Sequence, residues 1–226
     1  MLYVNGDSNA AGAELLNSFA FAEDDPQFSE LGRAPHPDNR LKSFGAVLAK
    51  KLGTDLVLDA ESASSNQRIM RTSANFIGTA KDPVVVIGWS TWERVEWLID
   101  DKLYQISGSG TDSVPETHTA QYKAWVMCQT TDEWEYKEQM WHRRIWEFHE
   151  ELQQQNIKHM FFNSYSSFGS VNDQKDWEGS FFHPYSSEHT FYRYLLNAGF
   201  KTSTYHHSVQ AHDQWANILL DNLQKL

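Results

Sequence analysis

Cysteine, positive charge and long apolar runs are what this chain has least of. One cysteine among 226 residues, Cys128, excludes an intramolecular disulfide and fits a reducing compartment. Nothing around it resembles a thiol active site, so it reads as a small packed side chain. Lysine and arginine number 19 against 30 acidic residues, a formal net charge of -11. That deficit excludes a general nucleic-acid binder, which must neutralise phosphates. No apolar stretch reaches the length that crosses a bilayer, so no membrane is expected as a partner. The first apolar run starts at residue 2 without a basic leader or a signal-type core, which predicts a soluble protein of the cytoplasm unless it leaves on a particle. Histidines are present, but without a His-x-x-x-His or cysteine pair, and neither a metal nor a cofactor is expected.

What the chain does have is aromatic mass. Six of its nine tryptophans, Trp89, Trp92, Trp97, Trp125, Trp134 and Trp141, fall between residues 89 and 141, so this third of the chain must bury or present much ring surface. The length suits a single α/β domain. Residues 2–4 and 55–59 read as short strands, and Val84-Val85-Val86-Ile87-Gly88 as a strand buried on both faces. A helix or helical turn is expected from Ala10 to Phe21, and helices from a Ser43 cap to Leu52 with Gly53 ending it and from about Ser65 to Ile77. A long helix follows from Thr131 or Asp132, with Trp134, Trp141, Ile145, Phe148 and Leu152 on its core-facing stripe. Residues 158–162 form a fourth strand, and helices near 187–198 and 208–223 close the chain. The order predicts a three-layer α/β/α fold with a flavodoxin-like parallel sheet of four or five strands. A Trp-rich insertion or lid interrupts it at about residues 89–130.

The stretch Val4-Asn5-Gly6-Asp7-Ser8-Asn9 is a strand ending in a glycine turn before a helix, where α/β sheets place reactive groups. Ser8 is the candidate nucleophile there, the alternative being that Asp7 or Ser8 only caps the helix. A serine needs a base. The segment Tyr205-His206-His207-Ser208, just before the last helix, supplies one in His206 or His207, and His212 lies a turn further on.

These segments resemble the blocks of the SGNH (GDSL-type) hydrolases. Gly6-Asp7-Ser8 matches the first, Ala63-Ser64-Ser65-Asn66 stands where the second has its glycine, and Gly88-Trp89-Ser90 where the third has Gly-x-Asn. The spacing from His206 to Ala211 and Trp215-Ala216 follows the fourth and favours His206 as base over His207. The chain also resembles a looser set of SGNH-like proteins of bacteriophages and bacteria, through Gly12-Ala13-Glu14-Leu15, Ser65-Asn66-Gln67-Arg68-Ile69-Met70-Arg71, and Arg94 and Glu96 after Gly88-Trp89-Ser90.

The resemblance implies an oxyanion hole of backbone N–H groups and an asparagine amide. Here Ala63 replaces the glycine and Ser90 the asparagine, with Asn66 as a substitute donor. The family's triad acid lies three residues before the histidine, where Ser203 stands, leaving Asp173, Asp176 or a carbonyl to replace it. Arg68, Arg71 and Arg94 with Glu14 and Glu96 form either an internal ion-pair network or, through an arginine, a grip on a ligand carboxylate or phosphate. Trp89 and Trp92 are better placed to touch a ligand than the helical tryptophans, and a packed rim is equally compatible with their position. The expectation is a cofactor-free serine esterase or deacetylase acting on a small-molecule or saccharide ester such as an O-acetyl group. The alternative is an inactive SGNH-fold phage protein, cytoplasmic or virion-associated, serving as a binding or assembly module.

Overall fold

The structure, a computed structural model, describes residues 1–16, 35–108, 110–111, 114–200, 202 and 205–226. Four parallel strands form the central sheet: β1 (Leu2–Asn5), β2 (Leu56–Leu58), β3 (Val84–Trp89) and β7 (His159–Asn163). Their spatial order is β2-β1-β3-β7. Leu2 pairs with both Leu56 and Val84, and Val85 with His159. The chain reverses its direction of travel across the sheet between β1 and β3, and such a switch point opens a crevice at the carboxyl ends of the strands.

Alternation along the strands divides the core in two. Leu2, Val4, Val86, Met160 and Phe162 pack on one face with α3 (Phe44–Leu52) and α8 (Val209–Leu223), around Phe44, Leu48, Trp215 and Leu219. Tyr3, Val85, Ile87, Trp89 and Phe161 pack on the other with α4 (Asn66–Ile77) and α6 (Thr131–Gln154), around Ile69, Trp141, Ile145 and Phe148. Two helical layers with a sheet between them make the three-layer α/β/α architecture.

Local sequence explains the ends of these helices. The Ser43 hydroxyl accepts the Ala46 N–H and Gly53 takes a left-handed backbone, φ 64°, so α3 is capped at both ends. The Ser65 hydroxyl caps α4 through the Arg68 N–H, and Thr130 caps α6 through Glu133. The helix expected from Ala10 to Phe21 is reduced, within the described residues, to the single turn α1 (Ser8–Ala11). Gly12 ends it at φ 75°, where its N–H bonds back to Asn9 and Ser8. Residues 17–34 lie outside the described part of that expectation.

Beyond β3 the chain leaves the sheet for an antiparallel meander, β4 (Val95–Ile99), β5 (Lys102–Ser107) and β6 (Gly110–Thr111). The short helices α2 (Pro37–Arg40), α5 (Thr119–Met127) and α7 (Phe191–Asn197) complete the set introduced here. Trp141, Ile145, Phe148 and Leu152 of the α6 stripe are buried, whereas Trp134 is 38% exposed at the helix's first turn. Among the described residues no helix is long and apolar enough to cross a membrane.

Candidate active site

Ser8 stands at the carboxyl end of β1, at the start of α1, and is 7% exposed. Gly6 makes this turn possible. Its φ is 152°, and a Cβ there would lie 2.6 Å from Ala10 Cβ and 2.8 Å from the Gly88 carbonyl. As the first residue of the helix, Ser8 has an N–H with no intrahelical partner, a ready donor for an anion.

Beneath it lies a buried carboxylate. Asp7 Oδ1 accepts the Asn9 N–H at 3.0 Å and the Ser164 hydroxyl at 3.1 Å. Asp7 Oδ2 accepts the Ser90 hydroxyl at 3.2 Å and Arg94 Nη1 at 3.4 Å, while Nη1 also donates to Ser90 Oγ at 2.8 Å. Asp7 therefore fixes the turn, joins the ends of β1, β3 and β7, and holds Arg94 at the site. Arg94 Nε is buried without a hydrogen-bond partner.

The carboxyl end of β7 contributes a residue that carries no motif in sequence. Tyr165 donates its hydroxyl to the Tyr205 carbonyl at 3.1 Å. The charges of Asp7 and Arg94 bear on the same phenol. Burial raises its pKa first, and the Asp7 carboxylate raises it further, against the opposing pull of Asn9, Arg94 and Ser8, so it remains a neutral donor. Tyr165 thus connects the end of β7 with the peptide immediately before His206.

The two histidines sit differently. His206 Nδ1 lies 2.9 Å from Glu14 Oε2, with the His206 side chain 14% exposed and that of Glu14 24%. The contact is short but bent, since Nδ1 makes no hydrogen bond of good geometry. His207 is buried, and its Nε2 is paired at 2.9 Å with the Tyr192 carbonyl. Burial, ahead of the opposing backbone bond and the nearby His206, lowers the pKa of His207. His212 is engaged elsewhere, its Nδ1 accepting the Phe44 N–H at 3.0 Å at the start of α3.

The remaining residues singled out from sequence fall into place around this centre. Ala63 has φ 58°, the left-handed backbone of a glycine, in the turn after β2. Asn66 is fully buried and clamps the Ser90 backbone, its Oδ1 accepting the Ser90 N–H at 2.8 Å and its Nδ2 donating to the Ser90 carbonyl at 3.2 Å. Its amide thus braces the end of β3. Trp89 and Trp92, expected to meet a ligand, are fully buried. Trp89 packs edge-on to Phe148 and Phe161, and Trp92 stacks on Phe168. The alternation that puts Val85 and Ile87 on the α4/α6 face puts Trp89 there too, away from the crevice.

The arginines and acids pair internally. Arg68 bridges Asp59 and Glu61, Arg71 meets Glu96 at 2.6 Å, and Arg94 holds Asp7. Ser203, at the family's position for the triad acid, lies outside the described residues. Asp173 pairs with Lys175, and Asp176 Oδ1 accepts the Glu178 N–H, both in the loop after β7. Two surface clefts of about 500 and 590 Å³ flank α6; Arg71 and Glu96 line the first and Asp173 the second, and neither is lined by Ser8, Arg94, His206 or His207.

Comparison with known families gives a match over residues 21–168 to a model described as a family of unknown function, DUF6071. The chain belongs to this family. The DUF6071 match starts after Ser8 and stops before His206, and the family's description assigns no activity. A comparison with curated proteins finds no match. Among solved structures, the chain is similar to one described as a carbohydrate esterase whose active site displays divergent catalytic and non-catalytic binding functions. The identity is 16% and the TM-score 0.46, with 100% of this chain and 64% of that chain covered. This DUF6071 chain thus spans less than two thirds of that structure's length, and a likeness at this level carries no argument about its chemistry.

Proposed function

We propose that the protein is a serine hydrolase of carboxylic esters, with Ser8 as nucleophile and His206 as general base. The observation that carries this reading is the turn after Ser8, in which the Ala13 N–H bonds the Ser8 carbonyl at 3.0 Å and the next residue, Glu14, lies 2.9 Å from His206 Nδ1. It ties the nucleophile at the start of the chain to the histidine near its end. His207 is the weaker candidate because its Nε2 is taken by the Tyr192 carbonyl.

In this mechanism Ser8 Oγ attacks the ester carbonyl while His206 takes its proton, then returns it to the leaving alcohol. Water repeats the sequence on the acyl-enzyme. The developing oxyanion needs donors fixed in advance. The Ser8 N–H at the start of α1 is one, and the Ala63 N–H on its left-handed turn is a second. Ser90 and Asn66 are spent within the fold, so the third is Arg94, whose guanidinium donates through Nη1 alone among the described residues. Near burial of Ser8 favours a short acyl group such as acetyl, and the SGNH resemblance extends this to an O-acetyl group on a saccharide.

The test is turnover of short-chain p-nitrophenyl and naphthyl acetates, with fluorophosphonate labelling of the purified protein. Turnover and labelling that both vanish in Ser8→Ala but survive His207→Ala support the reading. Absence of both from the unmodified protein overturns it and leaves the fold as a binding module, a reading favoured by the internal commitment of Ser90 and Asn66.

A further inference from the structure

The proposed base lacks a carboxylate from its own segment, and the structure brings one from the opposite end of the chain. Glu14 Oε2 is 2.9 Å from His206 Nδ1. We infer that Glu14 is the positioning residue for His206, holding the imidazole with Nδ1 protonated and Nε2 free to serve Ser8. This rests on the serine-hydrolase reading of the site.

Three features of the backbone support it. Glu14 has φ 62°, a left-handed conformation unusual for a residue with a side chain. Such a conformation persists only where its surroundings hold it, and it is concentrated at functional sites. The turn that creates it is built on the nucleophile itself, because the Ala13 N–H bonds the Ser8 carbonyl at 3.0 Å and Gly12 ends α1 at φ 75°. Any displacement of Glu14 is therefore coupled to Ser8.

The chemistry requires such a partner. A neutral imidazole has two tautomers, and only the one with its proton on Nδ1 presents a lone pair at Nε2. A carboxylate at Nδ1 selects that tautomer and stabilises the imidazolium formed when Ser8 gives up its proton, without itself becoming protonated. Among the described residues, His207 and His212 are histidines that His206 acts on electrostatically, and the pKa of each is lowered first by burial. Both favour the neutral state there, which leaves Glu14 as the anionic partner of this ring among the described residues. The bent approach in the free protein straightens when substrate fixes the ring, as catalytic hydrogen bonds do.

The experiment compares Glu14→Gln, Glu14→Asp and Glu14→Ala with the unmodified protein, using p-nitrophenyl acetate and one-dimensional proton NMR. Glu14→Gln keeps size and polarity and is expected to lower kcat by about 10³–10⁴-fold with KM within a few-fold, by analogy with loss of the triad acid elsewhere. Glu14→Asp is expected to recover part of kcat, which a purely structural role would not require. The unmodified protein is expected to show a downfield imidazole N–H resonance that disappears in both His206→Ala and Glu14→Gln. Unchanged kcat in Glu14→Gln, or a resonance indifferent to Glu14, overturns the inference while leaving the ester-hydrolase reading intact. Failure of that reading appears separately, as a lack of turnover and of Ser8 labelling in the unmodified protein.

Discussion

Arg94 illustrates how one side chain links the stability of the turn to its chemistry. Nη1 reaches both Ser90 Oγ and Asp7 Oδ2, and Nε is buried without a partner. A short serine at position 90 leaves room for the guanidinium, which a longer amide would fill. Replacing Arg94 by alanine removes the proposed third oxyanion donor, and we expect kcat on p-nitrophenyl acetate to fall about 10²–10³-fold. The variant also leaves Asp7 with one fewer partner in a buried setting, so stability should drop by roughly 1–3 kcal/mol. Ser90→Asn tested in that background separates the two effects. Recovery of kcat without recovery of the urea midpoint assigns the loss to the oxyanion, whereas unchanged kcat in Arg94→Ala alone sinks the assignment. None of this was legible in sequence beyond Arg94 as a candidate, because the Asp7, Ser90 and Ser164 contacts join the ends of three strands far apart in the chain. Tyr165 was hidden for the same reason, since the positions after β7 carry no motif. Glu14 stands out in sequence through Gly12-Ala13-Glu14-Leu15 and the charged set, but its pairing with His206 from the other end of the chain does not.

At the scale of elements, what the sequence reveals is what local physics determines. β3 is readable because an uninterrupted β-branched run has to be buried on both faces, and α3 because Ser43 and Gly53 cap it. Trp89 escapes a local reading because the β-branched run ends before it, whereas β3 continues through it. One residue more carries the alternation to the tryptophan and sends it into the core. The close contact between β3 and β7 depends on glycine at this same level. A Cβ on Gly88 would meet the Phe162 ring at 2.5 Å, inside a face where that ring also packs on Phe44 and Trp215. The ring has no free space to rotate into, so Gly88→Ala is expected to destabilise the protein by about 1–3 kcal/mol through overpacking. Urea denaturation with an unchanged m-value would register this as a lower midpoint, and an unshifted midpoint would mean that β7 yields more readily than its packing implies.

The molecule as a whole holds several histidines in its interior as neutral rings, and this sets its response to acid. Burial is the first cause lowering His149 to about 4, with the neighbouring His159 adding to it. Burial likewise lowers His212 to about 3, with His207 and His206 contributing. The geometry agrees with neutrality in each case. His149 Nδ1 and His159 Nε2 are 2.8 Å apart, and His159 Nδ1 is 2.8 Å from the Ile157 carbonyl. With His159 donating to that carbonyl, its Nε2 has to accept, so the chain of bonds has no place for a second proton at the contact. His212 Nδ1 accepts the Phe44 N–H at the start of α3, which only an unprotonated nitrogen can do. Above the unfolded value of 6.5 both states bind no extra proton at these rings, and stability is full. As pH falls below 6.5 the unfolded chain takes up protons that the folded chain refuses, so stability declines towards the folded values near 4 and 3. Each such group costs about 1.4 kcal/mol per pH unit within its window. The urea midpoint at pH 5 should therefore lie clearly below that at pH 7.5. Replacing His149 by glutamine, which can still hydrogen-bond but does not titrate, should flatten part of the slope. A midpoint independent of pH between 7.5 and 5 would show that these rings are protonated in the folded core, against the hydrogen bonds that hold them.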